Sequence, residues 1–407
     1  MAAASNSEVI SHYANRFTRA LSQGHTVASP LGLWLLLALL APATEGLARD
    51  ELENLLGATA GDAADRAAAL LGDPHPAVSA LVAVWDRTLG SRFGDWARLL
   101  PGAVDRGPVP SQAAANDWAR THTNGLIDEF PLKLDELTRL VLASALATDI
   151  TWSAPLETTA QLGGEFGSKV GRGLTFGTGM HLVAETEAAG QVAVAAPPSA
   201  SALEVLSVIA APDVAPHDVA QAAHQVAAML RGDEREARRV PVDELAAQGH
   251  AWAVTEERTQ RAGGPPTITE WRSFLPAWAV VSDHDLRAAP GMPLIVDALS
   301  GFARPEDQPV RVSAVQTAAA AYRRTGFTAA AVTAVGVCAT GMPSFHEVLV
   351  RKIELRFNRP YAVLACAARD SGPTAWRGVP VFSAWITEPQ DVEPEKPPGQ
   401  PVPVRIS

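Results

Sequence analysis

The sequence predicts a single large domain of the mixed α/β class, on three observations. Helix-period and strand-like apolar stretches interleave over residues 1–389, with no proline-rich linker and no internal repeat. One stretch, Leu31 to Pro42, is apolar nearly all round, as a helix enclosed on every side must be. Apolar residues make up 47% of the 407-residue chain against 19% charged, and the mean hydropathy is +0.06, which is enough to fill a sizeable core.

The elements follow in order. Val9, Ile10, Tyr13, Phe17 and Leu21 recur at spacings of three and four and predict an amphipathic helix. Thr26-Val27-Ala28 reads as a short strand. Ser29-Pro30 then opens the central helix, with serine at the N-cap and proline in the first turn. Asp50 to Leu56 is helical and stops at Gly57. Asn116 to Glu129 reads as a helix with Trp118, Leu126 and Ile127 inward. Leu137 to Ala147 is apolar throughout and fits helix or buried strand equally. The glycine-rich stretch 163–179 predicts turns between short strands. Leu203 to Ile209 is a strand and His217 to Leu230 a helix. From Leu294 on, short strands and turns are expected to alternate, and Tyr361 to Ala367 and Val379 to Ile386 are buried strands. The tail Gln390 to Ser407, rich in Pro, Glu and Gln, is expected to be disordered.

Composition excludes several classes. The net charge of −11 and a pI near 5.4 disfavour nucleic acid and anionic membrane surfaces. Two cysteines, Cys338 and Cys366, rule out a disulfide framework or a multi-cysteine zinc module, and no metal or other cofactor is expected. Cys366 sits in an apolar strand as a small core residue, and nothing near Cys338 would activate its thiol. The longest apolar run is about half a membrane span. The N-terminus has neither a basic nor an apolar leader region. This places the chain in the cytoplasm, with export by a route without a cleaved signal as the alternative. There is no Gly-x-Ser-x-Gly, no phosphate-binding glycine loop, and His346-Glu347 lacks the second histidine of a zinc helix. The ten histidines are scattered and read as solvated or capping side chains. No enzyme chemistry is expected.

The informative stretch is Arg323 to Met342. After Arg324 it carries no charge, Gly326 stands at its head, and small and β-branched residues fill the rest. Val332, Thr333, Val335 and Val337 disfavour a helix. The length exceeds an ordinary strand. A third possibility is a loop, first exposed, that can later become a strand; it needs small residues on one face and a glycine where the backbone swings.

Here the chain resembles the serpin family. Gly326, Ala329-Ala330-Ala331 and Thr333 stand at the spacing of that family's loop hinge. Further landmarks fall in the family's order: Val27-Ala28-Ser29-Pro30-Leu31 before the central helix; Asn116-Asp117-Trp118 with Thr123, Gly125 and Ile127; Leu140-Val141-Leu142 with Ser144-Ala145 and then Trp152; Phe357 to Tyr361; and Val381-Phe382 through Pro389. The resemblance implies a divergent, bacterial-type member, with three β-sheets, eight or nine helices and an exposed reactive loop near 324–350. Residues 1–389 would form this domain and 390–407 the disordered tail. It implies an inhibitor of serine-type, or cysteine-type, endopeptidases that works as a suicide substrate. The loop is cut, and its hinge (Gly326, Phe327, Thr328, Ala329, Ala330, Ala331, Val332 and Thr333) enters the main sheet as a new strand. Counting the family's loop length places the cut at Thr340–Gly341, with neighbouring bonds such as Met342–Pro343 open. A small residue there suits an elastase- or subtilisin-like protease. Ser29, Ser144, Trp152 and Gln316 would line the region where the sheet opens. A monomer is expected.

Several positions depart from the family pattern. Arg324 replaces a glutamate, Phe327 a small residue, Ser144 an asparagine, Gly32 a serine, and Gln316 stands near the usual histidine. Phe327 shares one face of a strand with Ala329, Ala331 and Thr333, and a bulky side chain there would cost about 1–3 kcal/mol in overpacking. These departures define the competing expectation, a non-inhibitory binding or scaffold protein whose loop does not trap a protease.

Overall fold

A computed structural model describes residues 4–20, 24–87, 91–122, 128–136, 138–148, 150–262, 265–302, 312–326, 345–370 and 372–392. The chain opens with α1 (Asn6–Ala20), β1 (Thr26–Ala28), α2 (Pro30–Leu40), α3 (Gly46–Leu56) and α4 (Ala60–Gly72). β2 (Val78–Asp86), α5 (Ser91–Ala97), β3 (Asp105–Pro108), α6 (Gln112–His122) and β4 (Leu140–Thr148) follow. The middle holds β5 (Glu157–Thr159), α7 (Gly164–Gly167), β6 (Gly173–Phe176), β7 (Met180–Thr186), β8 (Gly190–Ala196), β9 (Leu203–Ile209), α8 (Pro216–Leu230) and β10 (Ala237–Arg239). The last part holds β11 (Trp252–Ala262), β12 (Thr267–Leu275), β13 (Trp278–Asp285), α9 (Met292–Ser300), β14 (Val312–Tyr322), β15 (Phe345–Arg356), β16 (Tyr361–Ala367) and β17 (Pro380–Ile386). The described residues thus form nine α-helices and three sheets, as the resemblance implies.

Sheet A has the order β13-β14-β4-β2-β3, sheet B β1-β17-β16-β9-β8-β7-β10, and sheet C β11-β15-β12-β6-β5. α2 lies at the centre. Every residue from Pro30 to Leu40 is buried, which is why its sequence shows no polar stripe. Each of its enclosed leucines contributes about 1.5–3 kcal/mol. Trp34 still satisfies its ring nitrogen, donating to Leu56 O at 3.2 Å. Gly57 ends α3 in the left-handed region at φ +71°, as a helix-terminating glycine does.

Leu137 to Ala147, ambiguous by periodicity, is strand from Leu140. β4 pairs antiparallel with β2 on one side and parallel with β14 on the other, and all nine of its residues are buried. One face meets the α2 core through Leu140, Leu142 and Leu146; the other meets a smaller cluster of Trp85, Trp118, Phe130, Val141 and Ala143 beneath α6. α6 begins four residues before the expected Asn116 and its described part ends at His122, so Leu126 and Ile127 lie outside the described residues. The expected alternation of short strands after Leu294 is overturned. Met292–Ser300 is a helix, and β14 and β15 are among the longest strands in the chain. Packing also runs past Pro389, the expected domain end. Gln390 N donates to Ala277 O at 2.7 Å, Asp391 accepts from Arg172 N at 2.8 Å, and Val392 is buried. Residues 393–407 lie outside the described residues.

Three histidines expected to be solvated are buried instead: His75, His181 and His224, at 2%, 8% and 3% exposure. His224 falls on the packed face of α8 despite its polar neighbour Gln225. Burial, with Arg231 nearby, holds its pKa down to about 3, and burial also lowers His75 and His181. Between about pH 6.5 and pH 3 the unfolded chain binds a proton at His224 that the folded chain does not, so stability falls as pH falls through that window. Each fully suppressed histidine adds a slope of about 1.4 kcal/mol per pH unit. Replacing His224→Gln removes one such slope, and urea unfolding at stepped pH between 6 and 4 should show it. An unchanged slope would contradict the burial argument.

Candidate functional site

β14 and β4 are the two central strands of sheet A and run parallel. Their ladder begins at Val312–Leu140 and ends at Ala318–Leu146. β14 continues to Tyr322, and β13 accompanies it all the way, Trp278 opposite Tyr322. β4 continues to Thr148. Above Ala318, therefore, the edge of β14 facing β4 has no ladder partner among the described residues. Thr148 Oγ1 is buried there without a hydrogen-bond partner among them. Most residues flanking this gap are small: Ala319, Ala320 and Ala321 on β14 before Tyr322, and Ala147 on β4 before Thr148.

A short turn leaves the head of β14 and is pinned by backbone. Trp152 Nε1 donates to Arg323 O at 2.9 Å, Leu156 N to Arg324 O at 2.7 Å, and Trp152 N to Thr325 O at 3.3 Å. Thr151 and Gly326 then form an isolated antiparallel bridge. Trp152 is buried and tilts against Tyr322 with ring centroids 4.9 Å apart, so the tryptophan ties the turn to the core beneath it. Gly326 has φ +104°, and a Cβ there would lie 2.3 Å from Ile150 O and 2.8 Å from Thr151 Cα. Only glycine fits where the chain turns away from β14.

Lower in the same seam sits a buried clasp. Gln316 of β14 is fully buried and faces Ser144 of β4 in register. Its Oε1 accepts from Ser29 N at 2.8 Å. Its Nε2 donates to Ser29 O at 2.8 Å and to Ser144 Oγ at 3.3 Å. One amide thus satisfies both backbone groups of the residue that caps α2 and reaches across to the neighbouring strand. Ser29 Oγ in turn accepts from Gly32 N at 3.1 Å and donates to Val381 O at 2.8 Å, linking α2 to β17. A Cβ on Gly32 would lie 3.0 Å from Ser144 Oγ and 3.1 Å from Gln316 Nε2. Gly32 therefore makes the room that the glutamine amide occupies. The three departures at 32, 144 and 316 form one arrangement.

Of the expected site residues, the structure brings Ser29, Ser144 and Gln316 into direct contact. It places Trp152 and Gly326 together at the head of the sheet. Phe327, Thr328, Ala329, Ala330, Ala331, Val332, Thr333, Thr340 and Gly341 lie outside the described residues, as do Cys338, Thr123 and Gly125. Cys366 is buried in β16, and burial pushes its thiol up to about 12. Sequence reasoning missed the carbonyls of Arg323, Arg324 and Thr325 as anchors, because backbone acceptors leave no mark on composition. Among the described residues no three His, Cys, Asp or Glu side chains converge as a metal-binding group, and no helix is long and apolar enough to cross a membrane.

No family model matches the sequence, and no curated protein matches it closely. Solved structures do match nearly the whole chain. The thermophilic serpin Tengpin in its native state is 14% identical, with a TM-score of 0.64 over 94% of this chain and 93% of that one. Human thyroxine-binding globulin in complex with thyroxine is 14% identical, with a TM-score of 0.62 over 95% and 99%. Serpin48 of the insect Tenebrio molitor is 13% identical, with a TM-score of 0.61 over 95% and 98%. The chain has the serpin fold.

Two substitutions probe this geometry. Gly326→Ala should destabilise the protein by about 1–3 kcal/mol, the usual cost of a side chain forced into a sparsely populated backbone region. Gln316→Ala should cost about 2–5 kcal/mol, because it leaves Ser29 N–H and C=O buried without partners. Denaturant midpoints measure both. A Gln316→Ala protein as stable as the parent would mean that the clasp holds nothing together.

Proposed function

We propose that this chain is an inhibitor of serine-class endopeptidases that acts as a suicide substrate. The supporting observation is the position of Gly326. Gly326, bridged to Thr151, stands at the end of sheet A where the β4–β14 ladder stops, and the chain goes on from it to β15. A protease of elastase or subtilisin type attacks the carbonyl of Thr340, forms an acyl-enzyme, and releases the amine of Gly341. The segment still joined to β14 then lies down between β14 and β4, antiparallel to both.

The driving force follows from the ladder geometry. One parallel ladder is exchanged for two antiparallel ones, which are slightly more stable per residue. Roughly ten additional backbone hydrogen bonds at about 1 kcal/mol each amount to about 10 kcal/mol. The cost is opening the clasp at Gln316 and admitting Phe327, which slows the first step without reversing the balance. The acylated protease is carried with the segment and distorted before water can release it.

A second reading keeps the fold without the trap: a binding protein, as thyroxine-binding globulin is by its name. A cavity of about 370 Å³ between α1 and α8 favours it. His224 lines that cavity with neither ring nitrogen hydrogen-bonded among the described residues, and Ser11 Oγ and Asn15 Oδ1, also without partners among them, belong to residues lining the same cavity.

Mixing the protein with elastase and with subtilisin should give a covalent complex that survives denaturing electrophoresis. Cleavage near Thr340 should also raise the thermal midpoint by on the order of 20 °C. Simple nicking with full protease activity and an unchanged melting curve would reject the inhibitor reading. In the binding-protein reading, thyroxine as first probe should raise the midpoint of the parent protein and leave that of His224→Phe unchanged.

A further inference from the structure

β15, which receives the chain after the connection, has a strand on each side from Leu349 onward. β11 pairs with it antiparallel along its length, from Ala262–Phe345 to Trp252–Leu355. β12 pairs with it parallel, but only from Leu349 onward. Over Phe345 to Val348, β11 is its one ladder partner among the described residues. β11 is rooted in the core: Trp252 is buried and donates to Ala246 O at 3.2 Å, and Arg356 N donates to Ala251 O at 2.8 Å. Arg258–Glu347, Arg351–Glu256 and Lys352–Glu257 pair across the ladder at 2.5, 2.8 and 2.6 Å.

Reach makes this ladder consequential. β14 is 11 residues long, and eighteen residues separate Gly326 from Phe345. A connection laid beside all of β14 would use about eleven residues to cover about 36 Å. About seven would be left to climb the same distance, and seven residues span at most about 25 Å. The return is longer still. β12 ends at Leu275 beside Trp278, at the head of sheet A, and β15 runs parallel to β12, so Phe345 lies at the end of β15 away from that head. An uncut chain can fill the seam only by stripping the first residues of β15 out of sheet C.

We propose that β11 is a catch: by holding Phe345 to Val348 in sheet C, it keeps the uncut connection out of the seam and makes insertion wait for cleavage. The proposal rests on the insertion reading above. The test uses the full chain, verified uncut by mass, held about 10 °C below its thermal midpoint and then examined by native electrophoresis and a second melt. The parent should keep its original midpoint. Arg258→Glu combined with Thr259→Pro, which breaks an ion pair and the ladder near its tip, should convert at least tenfold faster. Its product should be an uncut species melting where loop-cleaved protein melts. Arg258→Glu with Glu347→Arg, which restores the ion pair, should behave as the parent. Initial midpoints near that of the parent establish that each variant is folded. Conversion of the parent as fast as the weakened variant, or no conversion of that variant while the cleaved protein is stabilised, overturns the catch alone. No stabilisation on cleavage overturns the insertion reading, and the catch falls with it.

Discussion

Two neighbouring strands that run the same way, joined over only part of their length, set the terms for the rest of this molecule. β4 and β14 come from distant parts of the chain and share a ladder that closes only as far as Ala318. A parallel pair is the less stable kind per residue, and here one of its ends is unmade. In an ordinary core such a seam would be closed by the next strand in the sheet. Instead the sheet is complete outward on both sides, with β13 beyond β14 and β2 beyond β4, and the weakest line lies in the middle. The small residues on both strands leave little side-chain bulk along that line.

What holds the seam shut is correspondingly local. Gln316 does not simply bridge two strands. It gives Ser29 the donor and acceptor that a neighbouring strand would give, so the start of α2 is a partner of β14 through a side chain. Parting β4 from β14 therefore strains the contact with Ser144, while moving β14 itself strains α2 and, through Ser29 Oγ, β17. Buried amides left half-satisfied are costly, so such a clasp is either closed or open, with little between. That favours a seam with two states over one that yields gradually.

The sequence made the enclosed elements legible because enclosure leaves a compositional mark. The all-apolar α2, the Ser29 cap and the β9 run could be read directly. β4 could not be distinguished from a helix, because a strand buried on both faces loses the alternation that identifies it; only its two neighbours in the sheet settle the matter. The substitutions at 32, 144 and 316 read as three unrelated departures, because the compensation between a missing Cβ and a longer side chain exists only in three dimensions. The buried histidines were hidden because their neighbours form no common pattern: His75 lies between two prolines, His181 between Met180 and Leu182, and His224 beside Gln225. The partnership of β11 with β15 was hidden by the separation between Ala262 and Phe345, which no local pattern spans.

The two ends of the connection between Gly326 and Phe345 are held by unlike means, and the asymmetry has a direction. At Gly326 the chain is tethered by a few backbone bonds to Trp152, Leu156 and Thr151, each of which can be released singly. At Phe345 it enters a strand held on one side and then on both, where release must proceed residue by residue against a ladder. On either side of that connection, then, Gly326 is tied by single bonds and Phe345 by a ladder. The lightly tied end belongs to β14, whose own edge above Ala318 has no ladder partner among the described residues. If the connection is cut as proposed above, the same geometry that weakens the middle of sheet A decides which half can reach it.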